Sequence, residues 1–242
     1  MSGRVERERA HFDRLAEQDS LFWADRTPAG ARRRAMRAEW FVGAARLRPG
    51  ARVLEIGCGL GRMTQELATQ GTVQIVATDL TPALVELAAR EPLPGVEFRV
   101  ANAEALDFPT GSFDAVVGNA VLHHLRLPLA LPELVRVLKP GGRFCFTEPN
   151  YLNPQVFVVL SSSRLRRDVG ASPDETAFVR WQLRRRLQQL GLVDVAVEPF
   201  DFLHPMVPQR WIAVAERLSR ALERVPLVRE VAGSLAISAT RS

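Results

Sequence analysis

The sequence predicts an α/β chain with a doubly wound parallel sheet, and three observations carry that prediction. From residue 51 onward, β-rich runs alternate with helical patterns, the order that βαβ units produce. The first apolar run, Val53-Leu54-Glu55-Ile56, ends in Gly57, Gly59 and Gly61, where a buried strand turns sharply into a helix. Residues able to do chemistry then recur directly after the β-rich runs, and open parallel sheets bind ligands at the carboxyl ends of their strands.

Taken in order, Arg52–Ile56 is the first strand and Arg62–Thr69 its helix. Val73–Thr78 is the second strand and stops at Asp79. Thr81 caps the next helix, which has Pro82 at its first position and turns Leu84, Leu87 and Ala88 inward. Val96–Val100, Phe113–Gly118 and Arg143–Thr147 are strands three to five. A helix over Leu131–Leu138 precedes the fifth, and Lys139-Pro140-Gly141-Gly142 stops it. Ser172-Pro173-Asp174-Glu175 has the form of a capping box with proline at the first helical position. It predicts a helix striped by Val179, Leu183, Leu187 and Leu190 and ended by Gly191. Val193–Val197 is the sixth strand. A helix with Trp211, Val214, Leu218, Leu222 and Val225 on one side leads to a last strand near Ser234–Ala239. Residues 1–50 read as a separate helical arm.

The 242 residues are 47% apolar, ample for one sizeable core. No apolar run approaches the roughly 20 residues that cross a bilayer, and the polar start Met1 to Arg9 lacks a signal-peptide core, so a cytoplasmic protein is expected. Cys58 and Cys145 are too few for a disulfide framework or a cysteine zinc site, and no metal site is expected. The net charge is +5, yet Lys139 is the only lysine beside 31 arginines, a skew that reads as codon preference. Segments 1–50 and 151–190 each carry +4, residues 51–150 carry −3, and 191–242 carry zero. The basic flanks suit an anionic substrate or an anionic membrane surface. A solvated arginine-rich surface is the plainer reading.

The strand ends gather Glu55 and Gly57, then Asp79, Asn102 to Glu104, Asn119 to His124, and Glu148 on one sheet edge. Asp79 lies where a ribose-binding acid belongs, because a carboxylate accepts from both hydroxyls of a sugar diol. The glycine spacing is not that of the dinucleotide fingerprint G-x-G-x-x-G, whose last glycine is replaced by Arg62.

Five segments carry a resemblance that covers about residues 50–150. They are Val53 to Gly61, Ala77-Thr78-Asp79-Leu80, Ala101 to Pro109, Phe113 to His124, and Leu138-Lys139-Pro140-Gly141-Gly142. In this order they resemble the class I S-adenosylmethionine-dependent methyltransferases, in the ubiquinone and menaquinone methylase-like (type 11) group. The resemblance implies a Rossmann-like doubly wound seven-stranded sheet with its last strand antiparallel and helices on both faces. It implies S-adenosylmethionine as cofactor, with Gly57, Cys58, Gly59 and Gly61 about its methionine part and Asp79 and Leu80 at the ribose. Asn102 and Ala103 would flank the adenine, and Asn119 would meet the ammonium through its backbone. Glu55 would orient the glycine loop or accept from the ammonium. Asn102 departs from the usual aspartate. Within the arm, family members often close a mobile amino-terminal helix over the cofactor, which implies Phe12 as a lid contact, with packing in the core as the alternative. The implied domains are an arm or lid at 1–50 and a catalytic domain at 51–242, with substrate-side insertions at about 151–190 and 201–230.

Methyl transfer to a hydroxyl, phenol or activated carbon requires loss of a proton, and imidazole is best poised to take it. His123 and His124 are the candidates, with a structural role in the loop as the alternative; Glu148 is a candidate for positioning substrate. Phe22-Trp23 in the arm and His204 in the apolar loop Phe202 to Pro208 are not assigned chemistry. The expected acceptor is a lipid-like, quinone-like or secondary-metabolite molecule. Asn119-Ala120-Val121-Leu122 lacks the Asn-Pro-Pro-aromatic pattern of base methylases, so nucleic acid is disfavoured. Pro154 to Leu165 and the Trp211 helix could cradle a lipid-linked acceptor at a membrane surface, or pack as core. A nicotinamide-dependent oxidoreductase and a binding-only protein of the same fold are the rival functions; the oligomeric state is left open.

Overall fold

A computed structural model describes residues 3–17, 26–70, 73–172 and 174–242. Seven strands form one sheet: β1 (Arg52–Ile56), β2 (Gln74–Asp79), β3 (Val96–Val100), β4 (Phe113–Asn119), β5 (Leu138–Pro149), β6 (Leu192–Phe200) and β7 (Ser234–Arg241). Their order is β3-β2-β1-β4-β5-β7-β6, with β7 antiparallel to both neighbours and β1 to β5 parallel. The order reverses at β1, so the crevice opens between the ends of β1 and β4.

Strand alternation explains why helices cover both faces. Leu54, Ile56, Val76, Val116, Phe144 and Phe146 point into one apolar cluster; Val53, Ile75, Ala77, Ala115, Val117 and Cys145 point into the other. The first cluster is closed by α5 (Leu127–Val137) and α8 (Arg180–Gln189) through Leu131, Leu134, Leu183 and Leu187. The second is closed by α2 (Pro28–Ala44) and α3 (Arg62–Thr69) through Ala38, Phe41, Met63 and Leu67. The remaining helices are α1 (Gly3–Glu17), α4 (Pro82–Ala89), α6 (Pro154–Ser161), α7 (Ser163–Asp168) and α9 (Ile212–Leu222).

Several local expectations are corrected. The hydroxyl of Thr81 makes no cap bond; Asp79 Oδ1 instead accepts from Thr81 N at 2.9 Å, so the acid two residues earlier ties down the start of α4. Helix α5 begins four residues before Leu131, at Leu127, because Pro128 supplies a helical start there. The Ser172 box keeps one of its bonds, Ser172 N to Glu175 Oε2 at 3.1 Å, but opens only a turn. Helix α8 starts only at Arg180, and the Ser172 hydroxyl, read as its cap, donates instead to Glu8 across the site. Pro173, Phe22 and Trp23 lie outside the described residues.

The largest departure is α9. Its inward residues are Glu216 and Ser219, while Trp211, Val214, Leu218 and Val225 are each between 44% and 56% exposed. Arg32 explains the inversion: Nε and Nη2 donate to the two Glu216 oxygens at 3.0 and 2.8 Å, a paired fork that holds the polar face inward.

Candidate functional site

The glycine turn after β1 is built for close packing. Gly57, Gly59 and Gly61 all have positive φ, and a Cβ on Gly57 would lie 2.6 Å from Val121 Cγ2. Asp79 pins the turn from the next strand: Oδ2 accepts from Gly59 N at 2.9 Å while Oδ1 holds Thr81 N. Cys58 N donates to Thr78 O at 2.9 Å, which stitches the turn to β2. Gly61 ends the turn as the first flank of α3, where a Cβ would press on the Phe98 ring and Ala88. Its role is in packing, outside the cavity wall.

A cavity of about 290 Å³ opens over this turn, near the lower end of the range for small-molecule sites. Gly57, Cys58, Gly59, Asp79, Leu80, Asn102, Ala103, Asn119, His124 and Phe12 line it. Glu55, Gly61, His123 and Glu148 lie behind the wall. Asn102 forms a turn of its own, Oδ1 accepting from Glu104 N at 3.0 Å. Asn119 Oδ1 accepts from Arg37 Nη1 at 2.9 Å and from Thr147 Oγ1 at 2.7 Å. Next to it Ala120 holds φ of +54°, a conformation that costs an L-residue about 1–2 kcal/mol and bends the chain into the loop carrying the histidines.

That loop, a 3₁₀ turn over Leu122–His124, hangs on Glu148. Glu148 Oε1 accepts from Val121 N at 2.9 Å and Leu122 N at 2.7 Å; Oε2 accepts from His123 N at 3.3 Å and faces His123 Nδ1 at 2.6 Å. Both oxygens are therefore committed to the loop, and Glu148 acts through it rather than by touching a ligand in the cavity. His123 is buried behind the wall. Burial alone would lower its pKa, but Glu148 outweighs that and holds it above the ordinary imidazole value. His124 stacks on His123 with centroids 4.0 Å apart, and its pKa is lowered by burial and by that neighbour. Its Nδ1 lies 3.1 Å from Glu8 Oε2, and Phe12 meets the ring edge-to-face at 5.2 Å.

Two buried carboxyls sit by the glycine turn. Burial and the charge of Asp79 push Glu55 up to about 7, and Glu55 Oε2 has no hydrogen-bond partner. Burial likewise raises Asp79, and burial with these two acids raises the Cys58 thiol well above its usual value, so the thiol is inert. A bound cation would relieve this charge.

Sequence reasoning named Phe12 of α1 as a lid contact, and it lines the cavity, but missed the other residues that α1 and α2 contribute. Arg4, Val5 and Glu8 line the cavity from α1, and Arg34 and Arg37 from α2. Arg4 Nη2 donates to Asp174 O at 2.9 Å and His11 Nε2 lies 3.1 Å from Gly170 O, so α1 is tied to the segment before α8. No local signal links residue 8 to residue 172; the fold alone brings them together.

Residues 54–146 match the family described as "Methyltransferase domain". Over 102 residues the chain is 40% identical to a protein of Mycobacterium ulcerans named "Probable phthiotriol/phenolphthiotriol dimycocerosates methyltransferase 2", covering 41% of this chain and 40% of the relative. Over 108 residues it is 42% identical to a ubiquinone biosynthesis O-methyltransferase of Xanthomonas campestris, covering 42% and 44%. The chain thus spans less than half the length of the curated relatives it matches. Among solved structures, Haemonchus contortus phosphoethanolamine N-methyltransferase 2 in complex with S-adenosyl-L-methionine superposes with a TM-score of 0.68 at 19% identity, over 96% of this chain and 59% of that one. The [4+2]-cyclase SpnF superposes with a TM-score of 0.61 at 22% identity, over 86% and 80%. These two likenesses establish the fold.

Proposed function

We propose, from the membership of residues 54–146 in the methyltransferase-domain family, that the protein transfers a methyl group from S-adenosylmethionine to a small-molecule acceptor. The observation that carries this reading is the single cavity formed by the glycine turn, Asp79, Asn102-Ala103 and Asn119 at successive strand ends. The cofactor fits the residues present: the unpartnered, buried Glu55 oxygen and the Asp79 carboxylate beside it supply negative charge for a cationic ligand, and the glycine turn lets backbone approach it. When bound, the cofactor supplies a methyl group already activated by its sulfonium charge. Asp79 holds the ribose hydroxyls, Asn102 and Ala103 flank the adenine, and the Gly57 to Gly59 backbone runs along the methionine part.

The chain's other task is to orient the acceptor and exclude water, which follows from the enclosure made by Phe12, Val5 and the loop hung on Glu148. Of the two histidines read as proton acceptors, only His124 reaches the wall. His124→Ala is expected to lower kcat at least about a hundredfold for an acceptor that must lose a proton. Unchanged kcat would remove His124 from the chemistry.

The acceptor we assign is lipid-like, delivered at an anionic membrane surface. What supports this is the solvent-facing stripe Trp211, Val214, Leu218 and Val225, extended by Leu227 and by Phe157 and Val158 on α6. Asn153 Nδ2 donates to Val231 O at 2.8 Å, which sets the start of α6 beside the segment after α9. The exposed Arg164 and Arg167 belong to the same region, whereas Arg166 braces Leu160 O from within. No helix among the described residues is long and apolar enough to cross a membrane. Incubation with methyl-labelled S-adenosylmethionine and fractionated extract tests both statements. Label in the lipid fraction, lost in Asp79→Ala, is expected; label in RNA or protein overturns the acceptor class, and absence of cofactor binding by the purified protein overturns the activity.

A further inference from the structure

The polar cluster beside the cavity contains a set of side chains with metal-ligand chemistry, one of which, His124, is also the proposed proton acceptor. His123, His124 and Glu175 each direct one ligating atom to a common point, with all three atoms within 4.8 Å of one another. His123 Nε2 and Glu175 Oε1 are 3.8 Å apart, against about 3.5 Å between ligands of a tetrahedral ion bound at about 2.1 Å. The cluster joins three parts of the chain: the 3₁₀ turn, the turn before α8, and α1 through Glu8.

We infer that His123, His124 and Glu175 form a binding site for one divalent transition cation of the zinc or cobalt type. Two imidazoles and one carboxylate suit such an ion better than magnesium or calcium, which prefer oxygen alone. The surroundings have the form of a metal centre. Glu148 Oε2 faces His123 Nδ1 at 2.6 Å, which places the ring proton there and leaves Nε2 as the donor toward Glu175. Glu8 borders the site: it is 5% exposed, and its Oε2 pairs with His124 Nδ1 at 3.1 Å, so it orients that ring from α1. Its other oxygen accepts from Ser172 Oγ at 2.7 Å, which fixes the carboxylate in place beside the cluster.

Charge points the same way. Three carboxylates, Glu8, Glu148 and Glu175, surround two rings, and they accept hydrogen bonds from backbone N–H groups, the Ser172 hydroxyl and His123. A divalent ion, together with Arg4, whose Nη2 donates to His123 O at 3.4 Å, balances that excess at a largely buried site. It would also fasten α1 and its Phe12 over the cavity, since Phe12 packs on His124. A cation on His124 excludes a role for that ring as free proton acceptor, so metal binding and the base role separate experimentally. The inference stands without the methyltransferase reading.

The test is titration of the chelator-treated full chain with Co²⁺ and, separately, Zn²⁺, read by visible absorption and calorimetry. The expected result is one equivalent bound, with a cobalt spectrum free of the strong thiolate bands that Cys58 or Cys145 would give. Affinity should fall at least about tenfold in Glu175→Gln and in His124→Asn, with circular dichroism reporting the fold of each. X-ray absorption on the cobalt-loaded wild type supplies a reading that needs no variant, and two imidazoles are expected in it. No saturable binding by the wild type, a thiolate spectrum, one imidazole or none, or unchanged affinity in a folded Glu175→Gln would each overturn the site.

Discussion

Glu55 shows how much one residue's chemistry depends on neighbours that its own segment does not name. Its position after an apolar run marks it as an acid at a strand end, but full burial beside Asp79 makes it a carboxyl that ionises only near pH 7. The consequence for stability has a definite sign. Between its ordinary 4.5 and about 7 the folded state keeps a proton that the unfolded chain has released, so stability falls as pH rises through that window. The advantage is complete below 4.5 and gone above 7, about 3 kcal/mol across the interval at about 1.4 kcal/mol per pH unit. Urea unfolding of wild type and Glu55→Gln between pH 4.5 and 8 should give curves that converge or cross, the wild type losing more stability with rising pH than the variant, since Asp79 and His123 titrate in both. Parallel curves would show that Glu55 is ionised throughout. Gly57 makes the same point in steric terms. Its glycine was readable as a turn, yet the atom that forbids a side chain is Val121 Cγ2 on a loop far away in sequence.

At the scale of elements, what the sequence predicted well were the segments whose periodicity and burial agree, β1 to β4; β5 was placed but begins at Leu138, through the Lys139-Pro140-Gly141-Gly142 segment read as a turn. Helix α9 was read as a helix whose apolar stripe either cradles an acceptor or packs as core; the stripe faces outward, because the Arg32 fork to Glu216, which has no local signal, holds the polar face inward. The capping box failed for a related reason: Ser172 finds a better partner in Glu8. Ion pairs of this kind also place α2. Asp201, with φ of +74° and 3% exposed, accepts from Arg33 Nε at 2.7 Å and Arg37 Nη2 at 3.0 Å, and Arg37 in turn bonds Asn119 and Ser234. Asp201→Asn keeps a side chain suited to positive φ while removing the charge that both arginines share. It is expected to cost about 3 kcal/mol and to weaken cofactor binding through the loosened Asn119. A thermal melt and a calorimetric titration read the two effects. Loss of less than about 1 kcal/mol would mean that water replaces the carboxylate there.

Over the whole molecule, the region that resembles known methyltransferases supplies the cavity floor, and α1 and α2 supply its roof. The floor was legible because one strand end after another carries a residue with an evident use. Of the roof, the resemblance alone suggested Phe12 and a lid; the rest was not legible, since α1 reaches the site through contacts such as Arg4 to Asp174 and Glu8 to Ser172 that only the closed fold creates. Among the described side chains of α1 only Val5 and Glu8 are buried, and apart from Phe12 on the His124 ring its other ties are polar, so its opening costs far less than disruption of β1, β4 or β5. We propose that α1 is the lid under which the cofactor enters. If opening requires an empty cavity, S-adenosylmethionine at a hundred times its Kd stabilises the closed form by about 2.7 kcal/mol. Amide exchange over residues 3–17 should then slow about a hundredfold on saturation, together with exchange in the glycine turn. Slowing in the turn while 3–17 exchange as before would show that the cofactor enters elsewhere and that α1 is a fixed wall.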